Sequence, residues 1–316
     1  MNKELPLIEA HEGLSEETRA CMGVVAEVAK TLQPWHDEYC LIGGWAVYAL
    51  TEIWARDSEP ALRHRGSLDV DIAIGWPQID QAQADAVVNA LLEAGYLATE
   101  SFRLKRIVDE GEYAVDLMAV PPEGHEAGPV IIGGHEFGPF WNGAFAFEHA
   151  QEAAIHARLP DGSKERVPVR IAASAGLLII KLHASFVPGQ DPQPKHLYDV
   201  FAMIRTYPDG PAAFARHCQN ELTSAAIETA AHMLEAAFGE RTFGPRLVAQ
   251  QRVIQEGGDA EVYMTEAEVT VTERMLSNSR IRVSLDERGT ITDVFGTGGT
   301  AIYTGQASRL VRRHNA

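Results

Sequence analysis

Two aspartates one residue apart, Asp69 and Asp71, stand in the run Ser67-Leu68-Asp69-Val70-Asp71-Ile72-Ala73-Ile74. The alternation predicts a strand, and a strand sends alternate side chains to one face. Both carboxylates then project from one side, and Val70 and Ile72 from the other. Like charges this close repel, and a divalent cation such as Mg²⁺ is the usual compensation. Alone, the pair could be a solvated strand face. An interior as apolar as Leu68, Val70, Ile72 and Ile74, however, gains nothing in packing from two acids. A third acid, Asp116, lies in a second strand-like run, Tyr113-Ala114-Val115-Asp116-Leu117-Met118-Ala119-Val120. If the two strands are neighbours, three carboxylates converge. Two can bridge a pair of metal ions while the third accepts a proton from an attacking hydroxyl.

Upstream, Gly43 and Gly44 close a short apolar run (Tyr39 to Ile42) and open an apolar helical one (Trp45 to Trp54). A glycine turn at a helix N-terminus is a phosphate site, although such a pair alone is also an ordinary strand-to-helix turn. Phosphate cradle plus carboxylates points to nucleotide chemistry. Phosphoryl and nucleotidyl transfer need little beyond positioning and charge neutralisation. Trp45, Tyr48, Trp54 and Trp76 could stack on a base, but the first three lie within the apolar helix and are expected in the core.

The elements that must position these groups follow from periodicity and punctuation. Ser15 caps a helix to Leu32. Glu38 to Ile42 is a strand, Trp45 to Trp54 a buried helix and Ser67 to Ile74 the aspartate strand. Gln78 to Ala94 is a helix stopped by Gly95. Phe102 to Val108 and Tyr113 to Val120 form a hairpin around Asp109, Glu110 and Gly111, and Ala154 to Leu159 with Arg166 to Ala172 another. After Ser174 the chain turns helical: Ala175 to Ser185, Lys195 to Tyr207, Pro211 to Phe238 as two helices, Pro245 to Glu256 and Glu266 to Leu276. A late hairpin, Arg282 to Leu285 with Thr290 to Phe295, precedes a Gly/Thr-rich and then basic tail expected to be mobile. The predicted class is α/β (α+β). Residues 1–173 form a nucleotide-handling domain with a mixed sheet, 174–280 a mainly helical domain, and 281–316 the terminal hairpin and tail.

Composition narrows the function classes. The chain has 316 residues, 46% of them hydrophobic, which suffices for a sizeable core, and no apolar run reaches the length of a membrane span. The polar, acidic start is not a signal peptide. Cys21, Cys40 and Cys218 have neither metal nor disulfide spacing, which suggests buried thiols in a cytoplasmic protein. A net charge of −17 argues against loose binding along a nucleic-acid backbone. Three local basic clusters remain candidates for holding one RNA end: Arg63, His64 and Arg65; Arg103, Lys105 and Arg106; Arg309, Arg312 and Arg313. The plainer reading of each is solvated surface charge.

Gly43-Gly44-Trp45-Ala46 followed by Arg65-Gly66-Ser67-Leu68-Asp69-Val70-Asp71 resembles the glycine-pair and D-x-D pattern of the DNA polymerase β-like nucleotidyltransferase superfamily. Within it, the pattern is most similar to AbiEii-type abortive-infection toxins and their MenT-like relatives. Asp116 matches the third catalytic carboxylate. Lys181-Leu182-His183-Ala184 matches a K-x-x-A helix lysine. Lys195-His196-Leu197-Tyr198-Asp199 is similar to a K-D-x-x-D helix, with His196 in place of its first acid. The similarity spans roughly residues 38 to 207. It implies that Gly43 and Gly44 contact the triphosphate, that Asp69, Asp71 and Asp116 bind Mg²⁺ (two ions), and that Asp116 also acts as base. Ser67 would orient phosphate, and Arg65 would contact phosphate or pair with the aspartates. Lys181 would neutralise phosphate charge, and Lys195 with Asp199 would line the nucleotide side. Lys181 could instead be a snorkelling helix lysine, and Asp199 could simply pair with Lys195 at i,i+4. The implied reaction moves NMP from an NTP to a hydroxyl acceptor. RNA, for instance a tRNA 3′ end, is implied for a toxin with an antitoxin partner, and a small molecule such as an aminoglycoside is the alternative. A non-catalytic nucleotide-binding module is a third reading.

Overall fold

The structure, a computed structural model, describes residues 4–55, 63–75, 80–125, 128–186, 191–238, 243–256, 259–268, 270–271, 282–285, 291–295 and 301–304. Trp76, Arg309, Arg312, Arg313 and most of the helix expected at Glu266 to Leu276 lie outside them. In chain order the first elements are β1 (Leu7–Glu9), α1 (Glu16–Thr31), a 3-10 stretch (Gln33–Glu38), β2 (Tyr39–Leu41), α2 (Gly43–Trp54), β3 (Asp69–Ile74) and α3 (Gln81–Glu93). There follow β4 (Leu97–Glu100), β5 (Arg103–Val108), β6 (Gly111–Ala119), β7 (Val130–Ile132), β8 (His135–Pro139), α4 (Ala144–Glu148), β9 (Gln151–Arg158) and β10 (Lys164–Ile171). The remainder is α5 (Ser174–Ser185), α6 (Pro194–Thr206), α7 (Pro211–Glu221), α8 (Ser224–Phe238), α9 (Gly244–Glu256), α10 (Ala260–Glu268), β11 (Arg282–Leu285), β12 (Ile291–Phe295) and β13 (Ala301–Thr304). The tail expected to be mobile thus supplies a third strand, β13, antiparallel to β12. No described helix is long and apolar enough to cross a membrane.

The chain divides into two compact units, Met1–Leu177 and Leu178–Ala316. The first holds a mixed sheet in the order β1-β9-β10-β2-β3-β6-β5-β4. β3 and β6 run parallel at its centre, flanked by antiparallel β2 and β5. Beyond the end of β5, β8 pairs with the last residues of β6. The second unit is helical before its three-stranded sheet.

Local chemistry explains the boundaries. Ser15 accepts from the Thr18 N–H to cap α1, and Asp80 with Gln83 forms a capping box that starts α3 three residues later than the alanine pattern suggested. The two glycines are not a turn ahead of α2; they are its first residues, with Ile42 as N-cap. β1 and β4 were not legible in the sequence, being three and four residues long at opposite ends of the sheet. β1 is held by parallel pairing with β9, Leu7 opposite Ala154, a partner nearly the whole domain away.

Burial follows the strand period. Val70, Ile72 and Ile74 of β3 lie beside Val115, Leu117 and Ala119 of β6, all buried. The opposite faces carry the acids. Trp45, Tyr48 and Trp54 of α2 are buried, so they pack in the core and are not a base-stacking platform. Cys21, Cys40 and Cys218 are free and buried, and burial pushes the Cys21 and Cys218 thiols up to about 12, which leaves them unreactive.

α1 crosses β9, β10, β3 and β6, and Gly23 lets it approach. A Cβ there would overlap the Arg158 carbonyl oxygen at the end of β9. Helix propensity alone favours alanine by roughly 0.5–1 kcal/mol, but overpacking against fixed backbone costs roughly 1–3 kcal/mol. Gly23→Ala is therefore expected to lower the urea midpoint at unchanged slope, a net loss of about 1–2 kcal/mol. A stabilised variant would show that this helix–strand contact is loose.

Candidate functional site

The centre of the site is set by strand register. β3 and β6 pair so that Asp71 stands directly opposite Asp116, with Asp69 opposite Ala114. Asp69, Asp71 and Asp116 therefore share one sheet face. Asp116 is buried, while Asp69 and Asp71 are partly exposed. The start of α2 lies against them. Gly43 has a left-handed backbone (φ 66°), and a Cβ on it would overlap Asp71 Oδ2. Glycine is thus required twice over, by conformation and by contact. A Cβ on Gly44 would come within 3.0 Å of Ser67 Cβ and 3.2 Å of Ser67 Oγ. Ser67 in turn donates to Asp69 Oδ1. Glycine pair, Ser67 and the two strand acids form one contiguous cluster. Placing Asp71 at a helix N-terminus also sets a negative charge at the positive end of the helix dipole.

A further member was expected only in a basic cluster, as a hold for an RNA end or as surface charge. Arg103 of β5 pairs with Asp116 in register and grips it with both ends of its guanidinium fork, Nε to Oδ1 and Nη2 to Oδ2, each at 2.7 Å. Asp116 first, then Asp69 and Asp71, strengthen its hold on its proton. The signal that could have found it is turn length. With Asp109 and Glu110 alone as the loop, Val108 pairs with Gly111 and the count back from Asp116 lands on Arg103. With Gly111 also in the loop, it lands on Leu104, and every β5 side chain changes face. Asp109 adopts a left-handed φ of 51°, the backbone that a two-residue hairpin turn favours.

The other basic residues of these clusters, within the described residues, meet groups of the same chain. Lys105 pairs with Glu112 at 2.8 Å and Arg106 with Glu27 at 2.8 Å. Arg63 lies 3.6 Å from Glu52, and His64 is buried. Arg65, expected on phosphate or on the aspartates, donates to the Gly13 carbonyl. Lys181, Lys195 and Asp199 belong to the second unit. There Asp199 pairs with Lys181 at 2.5 Å, both buried, whereas Lys195 is exposed at the start of α6. The i,i+4 pairing of Asp199 with Lys195 gives way to this contact between α5 and α6.

Carboxylate oxygens are the donors on the acid face, chemistry that suits a hard divalent cation. Asp69 and Asp71 fit that use. Asp116 does not fit it equally, because both its oxygens are on Arg103, and among the described residues no three His, Cys, Asp or Glu side chains form a ready metal cluster.

No protein-family model matches the chain, and no curated protein matches it. Among solved structures it is similar to a candidate nucleotidyltransferase from H. pylori, with a TM-score of 0.42 and 14% identity over 84% of this chain and 98% of that one. It is also similar to JHP933 from Helicobacter pylori, with a TM-score of 0.38 and 12% identity over 84% and 95%. Likeness this loose carries no functional argument, which must come from the site.

The loop ahead of the aspartates is braced from the N-terminus. His11 Nδ1 accepts from the Gly13 N–H at 3.0 Å, so its proton sits on Nε2, which donates to the His64 carbonyl at 2.9 Å. His64 Nδ1 likewise accepts from the Gly66 N–H at 3.1 Å. Protonating His11 on Nδ1 would break the first bond, and burial, the largest cause, holds its pKa below the ordinary 6.5 despite the opposing pull of Glu52. A depressed folded pKa binds fewer protons than the unfolded chain, so this contribution is complete above pH 6.5 and is lost as pH falls below it. Chemical denaturation from pH 8 to 5 should therefore show a loss of stability below about pH 6.5 that is smaller in His11→Gln. Parallel curves for the two proteins would show that His11 is not its source.

Proposed function

We propose that the chain is a nucleotidyltransferase that moves NMP from an NTP to a hydroxyl acceptor and releases pyrophosphate. The observation that carries this is the in-register placement of Asp71 beside Asp116, on the face that bears Asp69, against the Gly43–Gly44 start of α2. The first backbone N–H groups of a helix lack intrahelical partners. At α2 they are available to the triphosphate, and the missing Cβ atoms make room for Asp71 and Ser67 beside them. Asp69 and Asp71 are the residues that would hold Mg²⁺, which supplies charge neutralisation at the phosphates when bound. In the transfer, the acceptor oxygen bonds to the α-phosphorus and the bond to the bridging oxygen breaks. Pyrophosphate leaves with that electron pair, and the acceptor proton passes to a carboxylate of the cluster. Ser67, bound to Asp69 and against Gly44, keeps the helix start and the strand acids in one arrangement.

RNA is the first acceptor to test, on the resemblance to AbiEii-type and MenT-like toxins, and with it a toxin role that an antitoxin would hold in check. A second reading, a cationic small molecule such as an aminoglycoside, has its own support. Net charge is −17, and Lys105, Arg106 and Arg63 already face internal acids. An acidic protein attracts a cationic acceptor and repels a polyanion.

The deciding experiment offers labelled NTPs and Mg²⁺ with total RNA and, separately, with aminoglycosides. Labelled RNA is expected, and label that vanishes in Asp71→Ala assigns the chemistry to this cluster. Labelled antibiotic instead supports the second reading. NTP binding without transfer to either acceptor would leave a non-catalytic nucleotide-binding module and overturn the enzyme reading. Gly43→Ala, which must push the Asp71 carboxylate aside, is expected to slow transfer about a hundredfold in a protein that still melts cooperatively. Gly44→Ala meets only the movable Ser67 side chain and should cost much less.

A further inference from the structure

Arg103 and Asp116 are unequal partners. The aspartate is the buried one, its side chain 10% exposed against 49% for the arginine. Asp116 therefore behaves as an anchor and Arg103 as the group presented. Nε and one Nη2 hydrogen are committed to Asp116, which leaves the Nη1 hydrogens and the second Nη2 hydrogen on the exposed side. A guanidinium so placed is a permanent positive charge with a planar donor edge, the geometry that suits phosphate oxygens.

The local charges lead to the same conclusion. Of the three carboxylates on this face, Asp116 is the one whose charge the Arg103 guanidinium meets directly. A second divalent cation at Asp116 would have to displace a two-bond grip, with both oxygens of a buried acid already satisfied.

We propose that Arg103 is the fixed cation of this site: Asp116 anchors its guanidinium, the remaining N–H groups take a phosphate oxygen of the nucleotide, and Asp69 with Asp71 binds a single divalent cation. This rests on the nucleotidyl-transfer reading and assigns within it a residue and a cation count.

Mn²⁺ serves as the probe, with free ion counted by electron paramagnetic resonance over the full-length chain, and ATP, GTP, CTP and UTP binding measured by calorimetry. Wild type should take one Mn²⁺ per chain. Asp71→Asn should weaken it more than about tenfold, and Asp116→Asn should change it far less. Arg103→Gln should weaken nucleotide binding. Arg103→Lys should recover only part of that loss, because an ammonium has no fork with which to hold Asp116 and phosphate together. Circular dichroism melts confirm that each variant folds. If Arg103 merely supports the fold, Arg103→Gln lowers the melting temperature with nucleotide affinity unchanged, and the proposal is overturned. Two Mn²⁺ per chain, or a loss in Asp116→Asn as large as in Asp71→Asn, also overturns it and leaves nucleotidyl transfer standing. Wild type that binds neither Mn²⁺ nor any nucleotide overturns both.

Discussion

The contact on which the site depends is that of the Asp71 carboxylate with the Cα of Gly43. It joins the central strand of the sheet to the first turn of α2 with no atom to spare. Because Asp71 is also in register with Asp116, fixing that contact fixes the helix start relative to β3 and β6 at once. Interiors are close-packed and do not deform smoothly, so an acid at this position needs glycine above it, and a glycine here needs a strand with a small-footprint polar group below. The left-handed φ of Gly43 is the backbone consequence of turning from β2 into α2 within so short a span.

Around that contact, charge is balanced in successive layers. The strand acids face one another across a single strand spacing, an arrangement that costs energy in any folded chain. Arg103 offsets it from the next strand, and the α2 dipole offsets it from above. Farther out, Lys105, Arg106 and Arg63 each meet an acid. The more exposed Lys105–Glu112 and Arg63–Glu52 pairs stabilise little, whereas Arg106 holds the partly buried Glu27 through two hydrogen bonds. The buried Lys181–Asp199 pair of the second unit is of another kind. Removing one partner strands a charge away from water, which is far more costly than the pair is favourable.

The strands bearing the aspartates, the helix after the glycines and the switch to helices near residue 174 were all legible, because each has a strong period or a clear stop signal. Gly43, Gly44, Ser67, Asp69, Asp71 and Asp116 lie together; the convergence of the three acids is what the spacing suggested for neighbouring strands. Arg103 did not declare itself, because its place follows from whether Gly111 is loop or strand, and composition does not distinguish the two. β1 escaped notice for a different reason. Three residues carry no readable period, and what makes them a strand is the edge of β9, some 147 positions downstream. Arg65, a basic residue beside the acids in sequence, turns one arm of its guanidinium to a backbone carbonyl of the N-terminal segment.

The brace from that segment has a bearing on how the protein is made. His11 can hold His64 only where β1 has been laid down, and β1 has no strand to join until β9 exists. A chain leaving the ribosome exposes both aspartate strands tens of residues before β9 emerges. Through that interval the loop leading to Ser67 and Asp69 lacks its brace. Contacts so distant in sequence form late and slowly. The cluster is thus finished by one of the longest-range pairings in its unit, and a nascent chain carries all the acids well before it carries the scaffold that sets them.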